Sequence, residues 1–283
     1  MQRLSYSKQK RLGEILMFIF TLLIFLLFIS PLLWMIISSI KPEQNIFKDM
    51  NSLKAFIVIN PTLKNYLSAL SRVAILRYIG NSLLYIAIIT IMGLIINSLC
   101  GYALAKLRVP GRKYIIIIII SLIIIPFESI ILPLYLIINA FGWANRLPAL
   151  FMPFIANCFN IYLFRQFFLG IPDELEEAAG IDGASVLQTF ITIILPISKT
   201  VFATVFILTF VTHWGDFMWP LIVASDDSIR TIQVGLQFFF TDPPILYGDI
   251  MAGLTFSTIP LAVIFLIFQK YYVEGISTSG IKG

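Results

Sequence analysis

The run ILMFIFTLLIFLLFISPLLWMII, residues 15–37, decides the architecture: it holds 23 consecutive residues without a charge. As a helix rising about 1.5 Å per residue it extends roughly 34 Å, enough to cross a hydrocarbon core of about 30 Å. Arg3, Lys8, Lys10 and Arg11 precede it, as basic residues precede a secretory signal. The run is longer than an apolar signal core, however, and no small-residue cleavage site closes it, so it reads as a retained first span. The rest of the chain agrees. With 59% hydrophobic and 12% charged side chains in 283 residues, there is too little polar material to cover a water-facing surface, and the solvent is largely lipid.

Backbone groups inside lipid must be satisfied within each segment, so the long apolar runs predict helices. Six stand out, at residues 15–37, 79–105, 114–138, 148–164, 201–223 and 250–268. The expectation is an all-α integral membrane protein of six transmembrane helices. A cytoplasmic segment covers 1–14, the helical domain 15–270 and a cytoplasmic tail 271–283, whose Gly and Ser content suggests a flexible end. Lys and Arg mark cytoplasmic connections. Four precede the first run, and Lys106, Arg108, Arg112 and Lys113 crowd one short connection, whereas those around Arg146 and Arg230 carry one each. Both termini are therefore expected on the cytoplasmic side. Residues 41–77 argue the other way, with six basic residues on the outside in this scheme. There Thr62 is placed as the cap of an amphipathic helix on the outer surface.

The segment 165–199, between the fourth and fifth runs, is charged and organised. Pro172 suits the first turn of a helix whose Asp173, Glu174, Glu176 and Glu177 favour its positive end, with Gly180 as a stop. Asp182 is placed as the cap of a second helix that runs from Gly183 through Val186, Leu187, Phe190 and Ile194 until Pro196 breaks it. Glu174, Glu177 and Ala178 share one face, and Ala178 with Ala179 leaves it low enough for close approach by a partner. A solvated loop with an acidic face fits the same residues.

Joined to residues 171–175 (IPDEL) before it and to Leu195-Pro196 after it, the spacing EAAGIDGA at 177–184 resembles the signature loop of permease subunits in ATP-binding-cassette importers. Further pieces are similar to the carbohydrate branch of that family, of the maltose-transporter type: Asn81-Ser82, GYALAK at 101–106, Pro110-Gly111-Arg112, Pro133 and Tyr135, RQFF at 165–168, DFMWP at 216–220, and the terminal Lys282-Gly283. Gly215 stands where such sequences often have Asn, and Thr200 where a second Pro often follows. The resemblance implies a type I ABC importer transmembrane fold. It assigns docking on the ATPase to Glu174, Glu177, Ala178, Ala179, Asp182, Gly183, Leu195 and Pro196, and suggests that the tail 271–283 reaches the same interface. It also implies the partners: a second homologous permease, dimeric cytoplasmic subunits that bind ATP and Mg, an extracytoplasmic solute-binding protein, and a sugar substrate in a bacterial plasma membrane.

Polar residues within the runs are candidates for the pathway. Glu128 lies between Pro126 and Pro133, where a charge near mid-membrane costs about 2.5–3.5 kcal/mol. It either faces a solute, with the two prolines bending the helix around that cavity, or is neutralised, by protonation, by a neighbouring helix or by the partner subunit. Trp214 and Asp216 suit sugar recognition, Trp219 reads rather as a headgroup anchor, and the one histidine, His213, as a polar contact within the bundle. Cys100 and Cys158 lack metal or redox spacing and read as buried hydrophobes. The phosphate-cradling Gly-x-x-x-x-Gly-Lys-Ser/Thr pattern is absent, as is any nucleophile and base pair, so no catalysis and no cofactor is expected in this chain. No nucleic-acid partner is expected either. The alternative class is an ion-coupled secondary transporter that uses Glu128 and Asp216.

Overall fold

The computed structural model describes the backbone of residues 2–279 and the side chains of residues 11 and 13–270. Fourteen helices follow one another, with no strand among the described residues: α1 Gln2–Ser39, α2 Glu43–Lys48, α3 Lys64–Arg72, α4 Ile75–Lys106, α5 Arg112–Ile124, α6 Phe127–Ala140, α7 Leu147–Phe151, α8 Cys158–Leu169, α9 Glu174–Ile181, α10 Val186–Ile197, α11 Lys199–Trp214, α12 Met218–Val223, α13 Ile232–Thr241 and α14 Tyr247–Ser279. Four helical stretches are long and apolar enough to cross a membrane: Gly13–Ser39, Ile75–Lys106, Leu147–Leu169 and Tyr247–Lys270. Two bent pairs, α5 with α6 and α10 with α11, bring the number to six.

Three of the predicted runs differ from the expectation. The third is two helices meeting at 103°, not one. Pro126 disfavours a helical conformation in the residue before it, and Ile125 is extended (φ −74°, ψ 120°). The fifth ends at Trp214, and the chain turns through Gly215 before α12. Pro196 does not end the second loop helix. A wider turn over Phe190–Ile194 leads into it, in the turn where the missing Pro N–H removes a rung in any case. The break comes at Ser198, with a bend of 79° between α10 and α11. The last helix runs on to Ser279, so the described part of the tail is helical rather than a flexible end. Residues 280–283, and the tail's side chains, lie outside the described residues, as does the expected reach of the tail.

The contacts divide the chain into two units, residues 1–75 with 236–256, and residues 76–235 with 257–283. The first is organised by buried charge. The ammonium of Lys41, 1% exposed, donates to the carbonyls of Lys54 (2.6 Å) and Ala55 (3.1 Å) and pairs with Asp49. Arg72 donates to Asp249 (3.0 Å) and to the carbonyl of Asp242 (2.6 Å). Glu43 accepts the N–H groups of Tyr247 and Gly248 and so caps α14. The expected helix after Thr62 is α3. Thr62 accepts from the Lys64 N–H, but the capping position itself is Leu63. The second unit holds the loop and the packing beneath it. In α1 the apolar side chains from Ile15 to Phe28 are exposed, as suits a helix whose neighbours are lipid or another chain.

Candidate functional site

The segment after α8 folds as a helix, a turn and a second helix, built on an apolar base. Ile171 at its start, and Phe190 and Ile194 in α10, are buried with Tyr102 and Ala105 of α4, Phe164 and Phe168 of α8, and Val201 and Val205 of α11. Aromatic rings interlock there: Tyr102 lies 5.9 Å from Phe168 and 5.1 Å from Phe190, centroid to centroid. The approach of α4 to α8 depends on Gly101, where a Cβ would fall 2.6 Å from the Phe164 Cβ and 2.9 Å from the Arg165 nitrogen.

Hydrogen bonds shape the turn. Helix α9 ends with the Ala184 N–H on the Ala179 carbonyl (2.9 Å) and the Gly183 N–H on the Gly180 carbonyl (3.1 Å). Gly183 takes the left-handed conformation (φ +80°) that this ending requires and that a Cβ disfavours. The helix therefore stops at Gly183, not at Gly180. Helix α10 is capped by Ser185 rather than Asp182. The Ser185 hydroxyl accepts from the Gln188 N–H while the Gln188 side chain accepts from the Ser185 N–H. Asp182 is the last-turn partner of Ala178 instead.

Glu174, Glu177, Ala178, Asp182 and Gly183 lie exposed on this element, as do Leu195 and Pro196 beyond it. Ala179 does not share their exposure; it is buried. Ile181, next to Asp182, is 87% exposed; Val186 and Leu187 are exposed as well, and Leu187 lines an apolar groove with Ile91, Leu94 and Ile95 of α4. Glu176 turns inward, and its Oε1 is buried without a hydrogen bond. Burial raises its carboxyl above the ordinary range, with the Lys106 ammonium opposing and Asp173 adding to the rise. Sequence reasoning left Glu176 among the helix-start acids and missed Lys106 and Tyr102, because their partners lie about 70 residues away. The pattern Ser185-x-x-Gln188 was a signal for the true cap.

The polar groups of the spans are distributed differently. Glu128 is exposed in the first turn of α6, just past the break at Pro126, with no hydrogen bond or ion pair. Asp216 is half-buried, and its carboxylate accepts the Trp219 N–H at the start of α12. Trp214 is buried and donates to the Ser257 carbonyl (3.1 Å). Trp219 is fully buried, so it is no headgroup anchor. Its indole donates to the Ala149 carbonyl (2.9 Å), which lacks its usual helical donor because Pro153 stands four residues on. Phe127 and Phe154 pack against it. His213 makes ring contacts with Phe154 and Tyr85 and a polar contact through its backbone carbonyl, which accepts the Tyr85 hydroxyl, while its Nδ1 is buried without a partner among the described residues. Cys100 is exposed and Cys158 half-buried, neither being the buried hydrophobe expected. No cluster of metal-ligating side chains occurs among the described residues.

Comparison with known proteins places this geometry. The chain is 31% identical to the trehalose/maltose transport system permease protein MalG of Thermococcus litoralis, over 98% of this chain and 99% of that protein. It is 30% identical to the arabinooligosaccharides transport system permease protein AraQ of Halalkalibacterium halodurans, over 92% and 94%. In structure it resembles a chain of a bacterial ABC transporter involved in the import of the acidic polysaccharide alginate, with a TM-score of 0.81 over 93% of this chain and 97% of that one, at 22% identity. Residues 97–278, which include the whole loop, match the family described as binding-protein-dependent transport system inner membrane component. The chain belongs to that family of ABC importer permeases, as an integral membrane subunit of six spans.

Proposed function

We propose that this subunit forms half of the translocation path for a sugar or oligosaccharide, and that the loop from 171 to 199 docks on a separate cytoplasmic ATPase. The observation that carries this reading is the exposed end of α9 and α10. Acidic Glu174, Glu177 and Asp182 and the large apolar Ile181 are all exposed on a helix pair whose base is buried. A solvated acidic loop has no reason to leave a side chain as large as Ile181 so exposed next to Asp182 in the turn. A second homologous permease completes the path, an extracytoplasmic binding protein delivers the solute, and the ATPase dimer holds ATP and Mg. The sugar class is supported by the relatives, whose names specify trehalose, maltose and arabinooligosaccharides.

Transport then proceeds by alternating access. Closure of the ATPase dimer displaces the loop, and the loop carries its attached helices as a rigid body. We place the basic connection after α4, the docking loop and both termini on the cytoplasmic side; the contacts of Lys106 with Ile171 and Asp173 support putting the first two together. Two of the six basic residues in 41–77, Lys41 and Arg72, are committed to ion pairs, which supports placing that segment outside. Along the path we place Glu128 and Asp216, each at a helix break, and Trp214 beside Asp216 in sequence as a support, since its indole N–H is taken.

The test is purification of the tagged subunit from its own membrane, followed by uptake assays with Glu177→Lys and Gly183→Asp. Co-purification of an ATPase and a second permease is expected, with uptake abolished in both variants while the subunit stays in the membrane. Recovery of the chain alone, with uptake that follows an ion gradient and ignores ATP depletion, would establish the ion-coupled alternative instead.

A further inference from the structure

The cytoplasmic end of α4 and the beginning of the docking loop meet at one ammonium group. Lys106 closes α4, and its side chain is 5% exposed. Its Nζ donates to the Ile171 carbonyl (2.5 Å) and to the carboxylate of Asp173, the residue that precedes α9. Glu176 feels the same charge. Tyr102 lies one turn back on α4, on the face that Lys106 shares, and it also acts on Glu176. Neither bond of Lys106 is required to form α9, which has its own acidic first turn and its own ending at Gly183.

We propose that Lys106 is a positioning residue that locks the docking loop to α4, so that a push on α9 moves the second span with it. The proposal rests on the docking reading above. The apolar base alone does not supply this lock, because contacts among Phe168, Phe190 and Tyr102 are non-directional and tolerate sliding. Hydrogen bonds from an ammonium to a fixed carbonyl and a carboxylate have a direction and a length, so they fix the register of the loop along α4. The ammonium also sits at the carbonyl end of its own helix, where positive charge is favoured. The two partners serve different ends. Ile171 belongs to the buried base, whereas Asp173 is 78% exposed and leads directly into the acidic face. Lys106 thus joins the part of the loop that a partner touches to the part that belongs to the membrane domain.

The experiment uses the complete transporter, with both permeases and the ATPase, reconstituted in vesicles with binding protein and solute. Lys106→Met keeps the stem and removes the donors, Lys106→Arg keeps charge and donors, and Asp173→Asn alters only the exposed partner. ATP hydrolysis and solute uptake are read from the same vesicles. The expected result for Lys106→Met is an assembled complex that still hydrolyses ATP, with ATP consumed per solute raised about tenfold, a size typical of lost coupling. Lys106→Arg should recover most of the uptake, and Asp173→Asn should lie between. An unchanged ratio of hydrolysis to uptake in Lys106→Met overturns the proposal. If that variant does not assemble, the ratio in Asp173→Asn decides, and loss of assembly in both assigns Lys106 to folding and overturns positioning. Failure of the unaltered subunit to retain an ATPase is a different outcome: it removes the docking reading itself.

Discussion

Gly101→Ala tests whether the position of the docking loop depends on how closely α4 approaches α8. An added Cβ would lie 2.6 Å from the Phe164 Cβ, 2.9 Å from the Arg165 nitrogen and 3.0 Å from the Ile161 carbonyl oxygen, against an ordinary contact of 3.4 Å or more. The deficit at Phe164 is 0.8 Å (3.4 less 2.6), and two of the three atoms are backbone, so no side-chain rotation relieves it. Overpacking of this kind costs about 1–3 kcal/mol. The same substitution removes about 1 kcal/mol of glycine's helix penalty, and Gly80→Ala isolates that gain, because within this chain a Cβ at Gly80 meets nothing within 4 Å. The assay is thermal unfolding of the purified complex for both variants, followed by uptake. Gly80→Ala should match or exceed the unaltered protein. Gly101→Ala should melt lower and transport less, because α8 runs directly into Ile171 and α9. Equal melting of the two variants would refute the close approach and the packing argument built on it.

Three further outcomes are expected. Ser185→Ala removes one half of the reciprocal cap on α10 and should lower stability by about 1 kcal/mol, measured by the same melting assay, whereas Asp182→Ala should cost α10 nothing. Trp219→Phe keeps the ring in its buried site but leaves the Ala149 carbonyl without its donor, a loss of about 1–3 kcal/mol; a melting point like that of the unaltered protein would mean the indole bond carries no weight. Glu176→Gln should change the pH profile of stability. Burial raises the folded carboxyl above 4.5, so the folded state binds the proton more tightly than the unfolded chain, and the stability this contributes is lost as pH rises through the raised value. The variant lacks that loss, so its stability relative to the unaltered protein should grow from acid to neutral pH, as read in melts across that range.

The long apolar runs were legible because lipid leaves the backbone one solution, a helix that satisfies itself. Their interruptions were not. Pro31, Pro133 and Pro260 all sit inside helices, whereas Pro126 separates α5 from α6 at 103°. Nothing beside Pro126 in sequence distinguishes it. What differs is non-local: the residue after it, Phe127, packs against Phe154 and Trp219, which come from later in the chain. Trp219 was misread for the same reason, since its partner is the carbonyl orphaned by Pro153. The short acidic helix α9 was legible as acids at helical spacing after a proline, though Gly183 and not Gly180 supplies its ending. The cap of α10 was legible too, in Ser185 and Gln188, and was passed over for the acid next to the glycine. The inward turn of Glu176 toward Tyr102 and Lys106 was beyond local reading, because it depends on α4 lying beneath the loop.

The packing also bears on whether the bend at Ser198 could act as a free hinge. Phe190 and Ile194 of α10 and Val201 and Val205 of α11 share one apolar base across the bend at Ser198. A free hinge there would let α10 swing while α11 stood still, but Ser198 is fully buried and its hydroxyl donates to the Ile194 carbonyl at 2.6 Å. Swinging would expose both halves of the base and break that bond in an apolar setting. Close-packed interiors move between discrete arrangements rather than deforming continuously. On the proposed docking, and with Lys106 fixing the register of the loop on α4, a push on α9 and α10 would reach α4, α8 and α11 together rather than be spent at the 79° bend.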